Sequence, residues 1–438
     1  MQFVAQLIFL LVFGVANFFM IKNILRIRKT ILLGKELTIK RNPQRWKNVL
    51  LVAFGQKKMF KKPLPAILHL FVYLGFLIVN LEMLEIFIDG IAGTHRVLSP
   101  LLGGAYAFFI NVFEFFAVAV IVACAVFLVR RNVLKVRRFS GPEMSRKPLL
   151  DANIILVTEI LLMIAFLTMN ACDQLLQAAG HEHYTSVGTF FFSGLVTPVY
   201  SGMSTSTLVA LERFAWWLHI IGVLAFANYV FMDSKHLHIF LAFPNTFYGK
   251  LEPAGEFGNM EDVTREVKLM LNLPVENVET PATPGRFGAK DVQDLNWKNI
   301  LEAMSCTECG RCTQQCPANI TGKLLSPRKI MMDTRDRAQD VMAGIEKNGP
   351  EFNDGKSLLG DYIKEEEIMA CTTCNACVEA CPVLINPVDI IMQLRRFKIM
   401  EESQAPASWN MMFSNVENNF APWKFSRSDR FNWVEKLS

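Results

Sequence analysis

Two cysteine runs carry the chemistry of this sequence. Both have the spacing C-x2-C-x2-C-x3-C-P, and their cysteines are Cys306, Cys309, Cys312 and Cys316 in the first run and Cys371, Cys374, Cys377 and Cys381 in the second. Three closely spaced thiolates suit one face of a 4Fe–4S cube, and in two-cluster proteins the fourth cysteine of such a run ligates the other cube. The spacing therefore predicts two clusters, one on Cys306, Cys309, Cys312 and Cys381, the other on Cys371, Cys374, Cys377 and Cys316.

Structural zinc is the alternative metal, because thiolates bind both zinc and iron. Zinc usually takes two separate C-x2-C pairs, so two runs of four cysteines, each followed by proline, favour iron–sulfur. Outside the runs only Cys124 and Cys172 remain, in different apolar segments. The cysteines therefore predict no disulfide framework, and the clusters imply a reducing compartment.

Hydropathy predicts that the cysteine runs are attached to a membrane domain. Hydrophobic residues make up 52% of the 438 residues. Five apolar segments, about 3–21, 64–87, 105–129, 152–168 and 209–232, are near the roughly 20 residues that cross a bilayer core. No basic residue precedes the first, so we expect an uncleaved span rather than a signal peptide. Segment 189–200 is shorter and contains Pro198, which predicts an interfacial or re-entrant piece.

Basic residues are concentrated in the loops before the second and fourth spans, whereas Arg96 is the only lysine or arginine in the other two loops. The positive-inside rule then places the N-terminus outside and the cysteine runs in the cytoplasm, in a bacterial inner membrane. The same distribution attributes the net charge of +5 to membrane topology and not to nucleic-acid binding.

The predicted fold is all-α, with a five-span bundle followed by a mainly helical two-cluster domain. We predict a membrane domain at 1–240, a linker at 241–290, a cluster domain at 291–400 and a partner-docking tail at 401–438. After His238 we expect an irregular segment, then a short amphipathic helix at 261–271. Further predicted features are a linker marked by Pro274, Pro281, Pro284 and Gly285, a helix at about 291–304, one from Ser326-Pro327 to about Met342, and one opened by Asn386-Pro387.

Histidines near the membrane are candidate haem ligands. Haem b in a helical bundle takes histidine pairs from facing helices, and a polar side chain at membrane depth is expensive unless it is functional. His69 lies near the inner end of span two, and His236 and His238 follow span five. We expect one of these two to pair with His69, and helical phase does not decide which.

His219, near the middle of span five, is a fourth candidate ligand. It has no partner on span two, where the matching position is Asn80. A second haem would therefore need a ligand from elsewhere, such as His95.

Four acids lie at membrane depth, namely Glu82, Glu85, Glu114 and Glu159. Quinone reduction consumes protons, so buried carboxylates near a quinone site are candidate proton-relay groups. The alternative, of equal weight, is that they pair with Arg213 or with polar groups on neighbouring helices.

The two halves together resemble the membrane-bound heterodisulfide-reductase-like family of iron–sulfur proteins, and the membrane half resembles the b-type cytochrome subunit of respiratory nitrate reductase. The resemblance rests on the two cysteine runs and on the segments Trp216-Trp-Leu-His219, Ser234-Lys-His-Leu-His238, Ala242-Phe-Pro-Asn245, Gly322-Lys-Leu-Leu-Ser-Pro327 and Asn386-Pro-Val-Asp389. It implies an electron-transfer subunit of a quinone-linked respiratory oxidoreductase, with two clusters and haem b between a cytoplasmic donor and menaquinone. In the family that donor is electron-transfer flavoprotein, a thiol/disulfide couple or another dehydrogenase.

The sequence departs from these families in two ways. The cytochrome pattern has two histidines on its second span, and here only His69 is present. Fused family members continue into Cys-Cys-Gly modules, which this sequence lacks, so the resemblance implies a separate partner subunit that carries them and the substrate chemistry. The alternatives are a membrane anchor without its own quinone site and a cluster-bearing redox sensor or transporter.

Overall fold

The computed structural model describes residues 2–139, 141–275 and 286–435. Across these ranges the regular elements are helices, which confirms the predicted all-α fold. The extended pairings recorded there are two isolated bridges, Lys35 with Asn296 and Leu359 with Ile363. Pro281, Pro284 and Gly285 of the predicted linker lie outside the described residues.

The membrane half, residues 2–233, is built from α1 (Gln2–Ile31), α2 (Pro43–Asn48), α3 (Pro63–Ala92), α4 (Ser99–Leu102), α5 (Tyr106–Leu128), α6 (Arg146–Ala178), α7 (Phe191–Tyr200) and α8 (Thr205–Asp233). Helices α1, α3, α5, α6 and α8 are long and apolar enough to cross a membrane, which confirms the predicted number of spans. The helices run beyond the predicted apolar segments because backbone hydrogen bonding continues through the polar residues at their ends.

The bundle is centred on α6, which packs against α5 and α8, while α3 packs against α5 and α1 lies outside against α8 and α3. Its interior is apolar, with Phe166 and Ile220 fully buried. At Gly222 of α8 an added Cβ would lie 2.6 Å from Leu162 Cδ2 on α6. Helices α6 and α8 therefore approach closely at a glycine, as is common between membrane helices.

Helix α7 is the short apolar segment that we predicted not to span. Its ten residues rise about 15 Å, half the thickness of a bilayer core. It packs against α5 and α6, and its buried Ser193 accepts a hydrogen bond from Gln174 Nε2 of α6 at 2.8 Å. Pro198 lies inside α7 without ending it.

The remainder of the described chain contains α9 (His238–Phe247), α10 (Glu261–Met270), α11 (Trp297–Met304), α12 (Arg311–Gln315), α13 (Pro317–Ile320), α14 (Pro327–Asn348), α15 (Glu365–Met369), α16 (Ala376–Ala380), α17 (Pro387–Arg396), α18 (Ala407–Asn419) and α19 (Asn432–Glu435). Helix α10 confirms the short helix predicted at 261–271, and α17 confirms the helix predicted to begin at Asn386-Pro387. We call residues 286–435 the cysteine half.

Three predicted boundaries were wrong. The segment after His238 is helical through Phe247 rather than irregular, and the buried Asn245 of α9 donates to Val383 O at 2.6 Å. The helix predicted at 291–304 starts only at α11, because Asn296 caps α11 by accepting from Asn299 N at 2.9 Å. Helix α14 continues past Met342 to Asn348.

The cysteine half is attached to the loop between α1 and α3 through main-chain hydrogen bonds. Lys35 N donates to Leu295 O at 2.7 Å, and Trp297 N donates to Lys35 O at 3.1 Å. The Trp297 indole also donates to Leu37 O at 3.0 Å. This loop therefore forms part of the surface on which α11 is held.

A buried ion pair attaches the cysteine half to the loop between α5 and α6. The guanidinium of Arg328 donates to Glu143 Oε1 at 2.6 and 3.0 Å and to Arg138 O at 2.5 Å. The side chains of Arg328 and Glu143 are only 1% and 5% exposed. Because both charges are removed from water, each depends on the other.

We predict that Arg328→Met lowers the free energy of unfolding by about 3–5 kcal/mol, since it leaves Glu143 buried without its cation. Chemical denaturation of the detergent-solubilised protein, followed by circular dichroism, measures this. Lys61→Met is the control, because its ion pair with Glu379 also joins the two halves but is 56% and 70% exposed; we expect a change below about 1 kcal/mol. Equal losses in the two variants would contradict the prediction.

Candidate metal centres

The two cysteine runs fold alike, each as a loop followed by a short helix. Glu308 (φ 53°) and Gly310 (φ 70°) of the first run are left-handed, and Thr373 (φ 54°) and Asn375 (φ 58°) occupy the same places in the second. Helices α12 and α16 follow directly. Alternating right- and left-handed residues turn successive backbone N–H groups into one concavity, a conformation found at many iron–sulfur sites.

Gly310 is the position in the first run where glycine is required. An added Cβ would lie 2.7 Å from Arg328 Nη1 and 2.9 Å from Arg138 O, and φ is positive. The loop is thus pressed against the same arginine that joins the two halves. Asn375, a residue that tolerates the left-handed region, replaces it in the second run.

The first site is a recess lined by Cys306, Cys309 and Cys312 of the first run and by Cys381 of the second. Its empty volume, including the mouth open to solvent, is about 370 Å³. Cys381 reaches this site because α12 and α16 pack side by side. We call it the first site from here on.

The second site is the counterpart, a recess of about 310 Å³ lined by Cys371, Cys374, Cys377 and the first run's Cys316. Cys374 is exposed, whereas every cysteine of the first site is buried or half-buried. The structure therefore groups the eight thiols in the two sets that the spacing predicts, and their role as cluster ligands stays a prediction.

The donor set of the two sites fits iron–sulfur clusters. Backbone N–H groups point at the sulfurs, from Thr373 to Cys371 Sγ at 3.4 Å and from Ile385 to Cys381 Sγ at 3.3 Å. Burial raises the pKa of the Cys381 thiol to about 12, so a thiolate there needs a bound cation. Among the described residues no three His, Cys, Asp or Glu side chains meet closely enough for a single metal ion. Four thiols around a larger recess match a multi-iron group better than one zinc ion.

The two sites differ in the charges around them. Glu308, between the first two cysteines of the first site, is 3% exposed, forms an ion pair with Lys235, and accepts from Arg335 Nη1 at 2.9 Å. Although burial opposes ionisation, Arg335 and Lys235 hold the pKa of Glu308 below its ordinary value. The equivalent residue of the second site is the uncharged Thr373.

His69 and His238 are brought together at the end of the bundle next to the cysteine half. Their ring centres are 6.4 Å apart. Two imidazoles that bind one metal from opposite sides have ring centres roughly 6 Å apart, because metal–nitrogen bonds are about 2 Å long. The pair therefore fits a shared metal. The ring of His236 lies 5.6 Å from that of His238.

Hydrogen bonds to the ring nitrogens distinguish His238 from His236. Metal-binding histidines usually donate their other ring N–H to an acceptor. His69 Nδ1 lies 3.1 Å from Gln56 Oε1, and His238 Nδ1 lies 2.9 Å from Lys235 O. His236 contacts the Phe226 ring instead. Burial lowers the pKa of His236 to about 3, so its ring is neutral at physiological pH.

His219 is buried, and its Nδ1 lies 2.9 Å from Leu162 O on α6. His95, the alternative second ligand, contacts Asp173, eleven residues further along the same helix. That separation is roughly 16 Å along the axis, so the two histidines are not brought together. His219 stays a candidate ligand without a histidine partner among the described residues.

Glu85 and Glu114 are engaged in interhelical hydrogen bonds. Glu85 accepts from Tyr106 OH at 2.7 Å and from Leu98 N at 2.9 Å. Glu114 accepts from Asn170 Nδ2 at 3.1 Å and from two backbone N–H groups at the start of α7. These contacts match the alternative in which the acids bind neighbouring helices, and the relay role stays a prediction.

The other two acids differ from them. Glu82 is 3% exposed, and its Oε2 has no hydrogen-bond partner among the described residues. Glu159 is only partly buried. Arg213, the expected partner of the acids, instead pairs with its neighbour Glu212.

Sequence reasoning missed the buried Arg96–Asp173 pair, which lies at the end of the bundle away from the cysteine half. Arg96 also donates to Asn170 Oδ1 at 2.9 Å and to Tyr106 OH at 3.1 Å. The signal was present, since Arg96 is the only basic residue of the two outer loops. Asp173 was overlooked because the predicted fourth span ended at Thr168.

Comparison with known proteins agrees with the cysteine geometry. Residues 305–385 match the family model of the 4Fe-4S dicluster domain. No solved structure matches the chain. The chain therefore contains a two-cluster ferredoxin domain on the C-terminal side of five candidate membrane helices.

Relatives match over most of the chain. It is 29% identical to the "Probable iron-sulfur-binding oxidoreductase FadF" of Bacillus subtilis over 89% of this chain and 54% of that protein. It is 27% identical to the "EtfAB:quinone oxidoreductase" of Syntrophomonas wolfei over 88% of this chain and 53% of that protein. One of the heterodisulfide reductase subunits of Methanosarcina mazei is 27% identical over 33% of this chain and 36% of its own length.

The chain spans about half the length of the first two relatives. The names of these relatives describe iron–sulfur and quinone oxidoreductases and a heterodisulfide reductase subunit.

The crossed grouping of the cysteines gives a direct prediction. Cys381→Ser removes the cluster made with Cys306, Cys309 and Cys312, although it lies in the other run, and Cys316→Ser removes the remaining one. Iron analysis should find about half the iron in each variant, and electron paramagnetic resonance of the reduced proteins should show a different signal lost in each. If Cys381→Ser and Cys371→Ser abolished the same signal, the crossed assignment would be wrong.

Proposed function

We propose that this chain is the electron-transfer subunit of a quinone-linked respiratory oxidoreductase. Electrons pass between a cytoplasmic donor and a membrane quinone through two 4Fe–4S clusters and a haem b. The observation that carries the proposal is the juxtaposition of the first site and the His69–His238 pair, because Lys235 contacts both. The proposed cluster site and the proposed haem ligands are thereby connected within one chain.

The cysteines are proposed to hold the clusters as the recesses group them. Bound there, the clusters supply one-electron transfer. The chain's own contribution is to bury the thiols and to direct backbone N–H groups at the sulfurs, which stabilises negative charge. Of the two sites, the first is the one that lies next to the membrane half. The second, with the exposed Cys374, faces solvent.

His69 and His238 are the proposed haem b ligands. Support comes from the 6.4 Å separation of their rings and from the acceptor that each Nδ1 faces. Those contacts leave both Nε2 atoms for the metal and fix the ring orientations. The cytochrome b resemblance of the membrane half points to the same pair of elements, α3 and the segment after α8.

The proposed orientation places the cysteine half in the cytoplasm of a bacterial inner membrane. Support comes from the contacts of both basic loops with that half, for example Lys58 Nζ to Val378 O at 3.4 Å and Arg328 to Arg138 O. The cysteine runs thus share a side with the loops that the positive-inside rule assigns to the cytoplasm. Residues 1–240 and 291–400 are proposed as the two domains, joined by 241–290, with 401–438 as the docking tail.

The proposed electron donors are electron-transfer flavoprotein or a Cys-Cys-Gly partner subunit, and the proposed acceptor is menaquinone. The name of the EtfAB:quinone oxidoreductase relative supports a flavoprotein and a quinone. Relatives named as heterodisulfide reductase subunits support an assembly with a partner chain. Of the four membrane-depth acids, Glu82 is the one that we favour as a proton-relay group, because one of its buried oxygens has no hydrogen-bond partner among the described residues.

The haem assignment is tested with three histidine variants. We expect His69→Ala and His238→Ala to remove the cytochrome b α-band from the reduced-minus-oxidised spectrum, while the iron–sulfur content is retained. His236→Ala is the matched control and should keep the band, because no described residue makes the hydrogen bond to its ring that would orient a ligand. A full band in His69→Ala, or a band lost only in His236→Ala, would contradict the pairing.

The quinone step has its own test. When the purified protein is mixed anaerobically with a reduced water-soluble menaquinone analogue, the α-band of the reduced haem should appear. Reduction that fails in protein with full haem content would favour an anchor without its own quinone site. Absence of haem from the purified protein would favour the sensor or transporter alternative.

A further inference from the structure

Lys235 is hydrogen-bonded both to the proposed haem ligand His238 and to Glu308, which lies between Cys306 and Cys309 in the sequence. Its backbone carbonyl oxygen is 2.9 Å from His238 Nδ1. Its ammonium group pairs with Glu308, which is enclosed between Cys306 and Cys309. One residue therefore connects a proposed haem ligand, through the main chain, to a cluster-binding loop, through the side chain.

The surroundings hold Lys235 in this position. The side chain is only 10% exposed, and Nζ also donates to Pro148 O at 2.6 Å. Asp151 of α6 accepts from Lys235 N at 3.1 Å and from Ser234 Oγ at 2.8 Å. A buried lysine with this many partners has little freedom to move, so the distance between the two sites is set by the fold.

Glu308 is fixed from the other side as well. It is left-handed at φ 53°, a conformation that is unfavourable for a non-glycine residue, and Arg335 binds its second oxygen. The pair of cations compensates for burying this carboxylate. In the second site the same backbone position carries Thr373, so the charged arrangement belongs to one site alone.

We propose that Lys235 is a positioning residue that joins the His69–His238 site to the first cluster site and makes that site the direct electron partner of the haem. The inference rests on the proposed function. With Glu308 and Arg335, Lys235 contributes to the charge around the first site, which Arg311 and Arg328 also line. The second site has a different charged neighbour, Arg395, which donates to Cys371 O. Adding an electron makes a cluster more negative, so nearby cations favour reduction and nearby anions oppose it.

Two variants that remove opposite charges test whether Lys235 and Glu308 shift the reduction potential of the first site. In the full chain in detergent, Lys235→Met should lower the reduction potential of the first site, and Glu308→Gln should raise it. We expect each to change the reduction equilibrium about tenfold or more, which for a one-electron couple is about 59 mV. Redox titration followed by electron paramagnetic resonance measures this, with the Cys381→Ser protein identifying the signal of the first site. The second-site signal should not shift.

The electron-transfer part is tested by the rate at which sodium dithionite reduces the haem. Cys381→Ser, without the first cluster, sets the rate of direct reduction. We expect haem reduction in Lys235→Met to be at least tenfold slower than in wild type and close to the rate in Cys381→Ser. Lys235→Arg keeps the cation, so its rate of haem reduction should equal that of wild type. Lys61→Met, which removes an exposed lysine–glutamate pair next to the second run, should behave as wild type.

Several results would overturn the inference. They are unshifted first-site potentials in both charge variants, equal shifts at both sites, or haem reduction in Lys235→Met as fast as in wild type. A wild-type rate equal to that of Cys381→Ser would also overturn it, since the haem would then not be reached through the first site. A purified wild-type protein without haem would instead refute the proposed function, and the opposite potential shifts would still test the electrostatic part.

Discussion

The crossing of the two cysteine runs is the constraint on which the cysteine half depends. Cys316 lines the site of the second run and Cys381 that of the first, so neither site has four thiols until α12 and α16 lie side by side. The surrounding core contains Cys306, Cys316 and Cys381 among its buried residues. Cluster binding at the proposed sites would consequently be coupled to tertiary packing, as in other proteins whose metal sites do not exist in the unfolded chain.

The basic loops of the membrane half serve a second purpose in the fold. The basic residues that the positive-inside rule uses to assign topology also contact the cysteine half. Lys58 contacts Arg311 of α12 and Val378 of α16. In the other basic loop, Arg138 O and Glu143 accept hydrogen bonds from Arg328. Buried ion pairs contribute little net stability, but they are favourable only in a well-defined geometry. The interface is therefore suited to holding two redox sites at a fixed separation.

The sequence predicted the parts of this protein that depend on spacing. Cysteine grouping, five spans and helices such as α17 follow from local patterns. Long-range contacts do not: helical phase did not distinguish His238 from His236, because the distinction comes from a short turn after α8 and from Lys235 O. Arg96 was visible in the sequence, but its partner Asp173 was not sought, because α6 continues beyond its apolar stretch. Helix α9 was not predicted because the segment after His238 is rich in proline, glycine and asparagine, whereas the helix accommodates Pro244.

The hydrogen bonds between the first loop and α11 determine an order of assembly. The indole that donates to Leu37 O is 260 residues further along the chain. At synthesis rates of about 5–20 residues per second, that delay is roughly 13 to 50 s. The candidate membrane helices from Pro63 to Met232 are synthesised during this interval. The contacts between this loop and α11 therefore form only after all five candidate spans have been made.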